Sequence, residues 1–181
     1  MVTLDTSVKA GLAYPWQKPV RLWYILWILV PIFGWFALYG YSKKIIQSLV
    51  KGEYMLPQFG SPVDNFVIGL KLFVFLIPTV LVISLMEFIP YIGWLVALLL
   101  YIFIVPMLIV NLFVKETFGA AWELEKVFSM VFENLWDYIV TLVKTFVFTV
   151  VYIVMSLVLV GIPGLMFGMY YYYANFYQRH K

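Results

Sequence analysis

Five apolar stretches, at residues 19–42, 66–88, 91–114, 138–160 and 165–177, dominate this 181-residue chain and restrict what it can fold into. Hydrophobic residues make up 65% of it and charged residues only 12%, against about 25% charged in soluble domains. A water-soluble fold of this length has too little interior to hide so much apolar surface, so lipid is the expected solvent. Inside a bilayer the backbone must bond to itself, and runs of about 20 apolar residues cross as helices. The sequence therefore predicts an all-α, polytopic integral membrane protein.

The boundaries between apolar stretches are of two kinds. Some are charged; the others are uncharged Pro/Gly tetrapeptides, Pro31-Ile32-Phe33-Gly34, Pro90-Tyr91-Ile92-Gly93 and Gly161-Ile162-Pro163-Gly164. Trp35 and Trp94 follow the first two in the same place, a weak internal repeat. Proline lacks a backbone donor and glycine tolerates positive φ, so Pro31, Gly34, Pro90, Gly93, Pro163 and Gly164 are expected to form the tips of helical hairpins.

Charge placement orients these hairpins. None of the three tips carries Lys or Arg, whereas Lys9, Lys18, Arg21, Lys43, Lys44, Lys51, Lys115, Lys126, Arg179 and Lys181 all fall on the other side. By the positive-inside rule the charged loops and C-terminus are cytoplasmic in a multi-pass protein of the cell membrane. The remaining bases, Lys71 and Lys144, lie about two turns into their helices and snorkel to the same surface. The first apolar stretch ends in Val30-Pro31-Ile32-Phe33 with no small-residue cleavage pattern, so no removable signal peptide is expected. The aromatic residues, 20% of the chain, are expected at the interfaces.

One membrane domain, 1–181, divides as follows. Residues 1–18 form an N-terminal interfacial segment; 19–51 form a first hairpin, short and partly re-entrant, or a single kinked span, since the apolar run 22–41 fits either. Residues 52–65 form a cytoplasmic loop, in which Ser61-Pro62-Val63-Asp64 supplies an N-cap, an N1 proline and an early acid for the next helix. The second hairpin is 66–114, an amphipathic surface helix 115–137, the third hairpin 138–178 and a basic tail 179–181. In the surface helix Glu116, Glu123, Lys126, Glu133 and Asp137 recur at helical spacing opposite Phe118, Trp122, Phe128, Val131, Phe132 and Leu135. A shorter amphipathic stretch is read at 43–51.

Chemistry-bearing residues are few. There is no cysteine, and the single histidine, His180, is penultimate and expected to be solvated, so no thiolate, histidine-metal or Ser-His-Asp site can be assembled. Catalytic residues, cofactors and a metal site are not expected. Glu53 and Asp64 flank one loop and make either a carboxylate pair or two structural acids. Asp64 with Lys71, and Asp137 with Lys144, are each seven apart and share a helix face, as a polar ladder or as neutralised snorkelling lysines. Asn111 has a helix-bridging hydrogen bond as its expected role. Glu87 is expected at the outer interface, and the run Tyr170 to Tyr173 with Phe176 and Tyr177 forms an aromatic belt or stacks on a flat lipid-soluble molecule.

The order Tyr14-Pro15-Trp16, Pro31, Gly40-Tyr41, Gly52-Glu53, Leu56-Pro57-Gln58-Phe59 and Gly69-Leu70-Lys71 resembles the archaeal and bacterial membrane family catalogued as domain of unknown function 4013. Asn134-Leu135-Trp136-Asp137-Tyr138 and the aromatic, basic C-terminus extend the resemblance over nearly the whole chain. It implies a multi-pass membrane protein, with Gly40, Tyr41, Gly52, Glu53, Leu56, Pro57, Phe59 and Gly69 as its motif.

The sequence thus points to a non-enzymatic accessory or scaffold subunit, or membrane organiser, that works by helix packing. Its expected partners are the bilayer and other membrane proteins or further copies of itself, with no role for nucleic acid. A small transporter or channel built on Pro/Gly-interrupted helices is the competing reading; Lys71, Asn111 and Lys144 are the intramembrane polar residues that would matter to it.

Overall fold

The longest helix starts as its sequence directs. The Ser61 hydroxyl accepts the Asp64 N–H at 3.2 Å, Pro62 occupies a position where no donor is needed, and Asp64 places negative charge in the first turn. The computed structural model describes residues 6–157, 159 and 161–181, among which all regular structure is helical. In chain order the α-helices are α1 (Val8–Ala13), α2 (Phe33–Lys51), α3 (Pro62–Met86), α4 (Gly93–Phe103), α5 (Val105–Lys115), α6 (Leu124–Glu133), α7 (Leu135–Ser156), α8 (Gly161–Gly168) and α9 (Tyr171–His180). Short 3-10 helices cover Tyr14–Gln17, Pro19–Leu29 and Phe118–Ala121.

Helices α3 and α7 are long and apolar enough to cross a membrane, and α4 with α5 forms a third candidate bent by 45°. Only 28% and 22% of the most apolar windows of α3 and α7 are buried. Phe73, Val74, Leu81 and Leu85 on α3 and Phe146, Ile153 and Val154 on α7 face outward, a surface that water alone would not tolerate.

Helices α2 and α3 form the most extensive pair in the bundle. They cross where Gly40 faces Gly69: a Cβ on Gly40 would overlap the Asn65 carbonyl, and one on Gly69 the Phe36 carbonyl. Small residues at a crossing let two backbones approach closely, which is how helices associate when lipid removes the hydrophobic drive.

The first apolar run is broken around Pro31 and Ile32 into two helical arms. Its first arm, Pro19–Leu29, is 11 residues of 3-10 helix, about 22 Å long and short of a bilayer's hydrocarbon core of about 30 Å. Its second arm, α2, continues unbroken through Lys51, so the amphipathic stretch read at 43–51 is the end of that helix. Two tips share one construction. Phe33 N–H bonds Pro31 C=O at 2.6 Å and Ile92 N–H bonds Pro90 C=O at 2.9 Å, each a γ-turn on a non-glycine residue, Ile32 at φ 62° and Tyr91 at φ 68°. Gly34 and Gly93 fall two residues later, inside the next helix, where a Cβ would overlap the carbonyls of Trp27 and Met86.

The third tip corrects the expectation. Pro163 and Gly164 lie inside α8, and the reversal comes earlier, around Leu159 at φ 63°; residues 158 and 160 lie outside the described residues. A proline in the first turn of a helix costs no hydrogen bond. Gly161 and Gly164 serve contact instead, since a Cβ on either would overlap Tyr152.

Three further segments differ from the sequence reading. The arm 91–114 is broken at Ile104, because Pro106 cannot donate to the Ile102 carbonyl four residues back. Residues 115–137 are not one helix: a 3-10 turn at Phe118–Ala121 precedes α6, and Asn134 separates α6 from α7. The C-terminal aromatics are core rather than belt, with Tyr171, Tyr172, Phe176 and Tyr177 at most 2% exposed. They are buried because α9 packs against α2, α5 and α7.

Two stability predictions follow from the crossing and the tips. Gly40→Ala or Gly69→Ala should cost about 1–3 kcal/mol through overpacking, while Gly119→Ala, which meets nothing within 4 Å, should be neutral; thermal unfolding in detergent compares them. Ile32→Gly should raise stability by up to about 1 kcal/mol by relieving positive φ, and a fall in midpoint would show that the tip carries no strain.

Candidate functional site

Glu87 stands apart beside the second tip, while most charged residues lie where α2, α5 and α9 end and α3 and α7 begin.

The motif residues meet at this end as a clamp on the α2–α3 connection. Gly52, at φ 86°, ends α2 in the left-handed conformation, and the Glu53 N–H turns back to the Ser48 carbonyl at 2.9 Å. The Ser48 hydroxyl donates to the Glu53 carboxylate at 2.7 Å. Leu56 is fully buried. The Tyr41 hydroxyl donates to the Pro57 carbonyl at 2.7 Å, and the Phe59 carbonyl accepts from Lys44 Nζ and Asn65 Nδ2, both at 2.8 Å. The Phe59 ring lies against Tyr24, Trp27 and Tyr41. Side chains thereby satisfy two carbonyls of a loop that helical bonding does not reach, those of Pro57 and Phe59. Glu53 and Asp64 hold separate structural positions and form no carboxylate pair.

A second cluster surrounds Asn111. It is fully buried; its Nδ2 donates to the Ala120 carbonyl at 3.0 Å and to Glu123 at 3.2 Å, and its Oδ1 accepts from the Tyr177 hydroxyl at 2.8 Å. Lys115 pairs with Glu123. Lys43, only 8% exposed, pairs with Glu116 at 2.7 Å, and Gln47 donates to the same carboxylate at 3.0 Å. These bonds tie α2, α5, α9 and the 116–123 connection together. The hydrogen bond from Lys115 holds the Glu123 carboxyl below its ordinary value. Burial works against ionised Glu116, but the bonds from Lys43 and Gln47 outweigh it and lower its value too.

The third cluster joins the two ends of the last hairpin. Asp137 accepts from Arg179 at 2.8 Å and from His180 at 2.7 Å, so His180 is not the solvated terminal residue expected, and the partner of Asp137 is the tail rather than Lys144. Lys144 instead borders a small cavity with Thr141, Asn175 and Arg179. Lys71 is exposed over the Phe75 ring at 5.5 Å, and no ion pair joins it to Asp64 among the described residues. Asn175 has no signal in the sequence, and the hydrogen bonds of Tyr177 and Tyr138, read there only as part of an aromatic run and of the family resemblance, depend on partners far along the chain. The Tyr138 hydroxyl donates to the Ile102 carbonyl at 3.2 Å, the group Pro106 leaves free.

Among the described residues no group of three or more His, Asp or Glu is arranged to hold a metal ion. The three clusters join elements remote in sequence.

A depressed carboxyl contributes stability that is complete above the ordinary carboxylate range, about 4, and is lost as pH falls through its folded value. Unfolding midpoints should therefore be flat from neutrality down to that range and drop below it, with a shallower drop in Glu123→Gln. Tyr177→Phe, which strands the Asn111 carbonyl, should cost about 1–3 kcal/mol in the same unfolding assay; an unchanged midpoint would remove Asn111 from the framework.

No curated protein and no solved structure matches the chain. A family profile described as "Protein of unknown function (DUF4013)" matches residues 23–160, a stretch that contains the α2–α3 clamp, the broken α4–α5 pair and α7. The chain belongs to that family.

Proposed function

We propose that this protein is a non-enzymatic, multi-pass membrane protein that acts as an accessory or scaffold subunit through helix packing, with its charged end in the cytoplasm. The observation that carries the reading is the contrast between outward and inward faces. The outward faces of α4, α7 and, beyond Lys71, α3 are apolar, with Leu85, Trp94, Leu98 and Phe146 exposed, while inward-facing polar groups such as Thr79 and Asn111 are spent on bonds within the fold. Groups committed in this way are poor candidates for moving a solute. Exposed Trp136, at the start of α7, suits the membrane interface at the charged end.

The transporter reading draws on the 45° break between α4 and α5, because broken helices often expose carbonyls to a substrate. Here Tyr138 takes the freed Ile102 carbonyl, which favours a packing role for the break.

The chain contains no cysteine, so single cysteines report topology cleanly. Tyr91→Cys, at a tip residue 95% exposed, should react with an impermeant thiol reagent on intact cells, and Lys181→Cys only after permeabilisation; the reverse pattern would invert the orientation. Purification in mild detergent should bring along a membrane partner, or further copies, in fixed ratio. Solute flux through proteoliposomes of the lone protein would instead establish the transporter.

A further inference from the structure

The small cavity between α7 and α9 is built unlike the rest of the charged end. Its walls include Asp137, Thr141 and Lys144 from the first three turns of α7 and Tyr172, Asn175 and Arg179 from α9, with Thr6 and Val140 completing them. Its volume, about 30 Å³, holds roughly two water-sized groups.

The hydrogen-bonding groups around it are unbalanced. Asn175 is only 2% exposed, yet its Nδ2 has no hydrogen-bond partner, an arrangement that costs about 1–3 kcal/mol unless something accepts from it. Thr141 spends its hydroxyl hydrogen on the Asp137 carbonyl at 3.0 Å, and Tyr172 spends its own on the Val8 carbonyl at 3.1 Å. The Asp137 carboxylate is engaged by Arg179 and His180. Lys144 has no ion pair or hydrogen bond among the described residues and lies nine residues, about 14 Å, into α7. The donors left over are the Asn175 amide, the Lys144 ammonium and the guanidinium hydrogens that Arg179 does not give to Asp137, against one carboxylate oxygen, Asp137 Oδ1, that neither Arg179 nor His180 bonds. Two of the three are cationic and one carboxylate answers them, so the complementary ligand is an anion with several acceptor oxygens.

We propose that Lys144, Asn175 and Arg179 form a binding site for a phosphate group, whose outer oxygens enter this cavity while its ester substituent stays outside. A lipid headgroup is one source of that phosphate, an assignment that rests on the membrane reading above; free phosphate is the other. The site would pin an anionic lipid at the junction of α7 and the C-terminal helix, where Lys144 is at the right depth for its stem to lie in apolar surroundings and its charge at the headgroups.

The experiment uses the full-length protein in nanodiscs and in detergent. Native mass spectrometry with dioleoyl phosphatidylglycerol against dioleoyl phosphatidylcholine should show preferential retention of the anionic lipid, reduced about tenfold in Lys144→Gln and in Asn175→Asp. Lys71→Gln, at an exposed base on the same end of the bundle, should leave retention unchanged. Thermal shifts with both variants confirm that they remain folded. Stabilisation by inorganic phosphate without lipid preference, lost in Lys144→Gln, would assign the site to free phosphate. Equal losses in Lys71→Gln and Lys144→Gln would overturn the site in favour of diffuse surface charge, and no response to either ligand would leave the cavity to ordered water. Insertion of the protein into phosphatidylcholine vesicles is scored separately: insertion without anion preference defeats only this site, whereas failure to insert defeats the membrane reading.

Discussion

Two helices can meet backbone to backbone only where neither presents a side chain, and Gly40 against Gly69 is the place where α2 and α3 do so. That contact brings Asn65 beside α2 and the 52–60 loop over the crossing, where Tyr41, Lys44 and Asn65 can reach the loop carbonyls. The motif read from the sequence is therefore one device. The glycines set the distance, Gly52 turns the chain, and Leu56, Pro57 and Phe59 fill and cover the gap. In a setting where lipid is as apolar as the side chains, such close approach and internal hydrogen bonding hold helices together in place of hydrophobic burial.

Tyrosine does the complementary work at the irregular parts of the backbone. The hydroxyls of Tyr41, Tyr138, Tyr152 and Tyr172 each donate to a backbone carbonyl, those of Pro57, Ile102, Leu12 and Val8. These carbonyls belong to a loop, a proline-broken helix and the short α1, where helical bonding is incomplete. A phenol supplies apolar bulk with one donor at its far end, which suits a buried site needing a single bond. The aromatic composition of the chain thus has as much to do with sealing the interior as with marking the interface.

The charged end reads as a set of ties between elements remote in sequence. Glu116 and Glu123, on the connection after α5, anchor it to α2 and α5 through Lys43, Gln47, Asn111 and Lys115, and Asp137 holds the tail. Between Lys144 and Arg179 the buried Asn175 amide keeps a donor without a partner, which marks that cavity.

Much of the local structure was legible because local chemistry dictates it: the Ser61-Pro62-Asp64 start of α3, the reversals after Pro31 and Pro90, and the apolar length of α3 and α7. Pro106 was also legible as a helix breaker and was passed over in a run that length alone favoured as one span. The register of the third tip was not legible, because Gly161 and Gly164 look like turn residues until Tyr152 is seen against them.

By itself the sequence determined helices, apolar outward faces and the absence of Lys and Arg from the tips, because helical bonding, hydrophobicity and proline geometry act over a few residues. Tertiary structure alone decided which glycines touch, which tyrosines seal which carbonyls, why the C-terminal aromatics are core, and where Asn175 is left with an unused donor. Each of those depends on residues tens of positions apart arriving at the same few ångströms, and no local preference encodes that meeting.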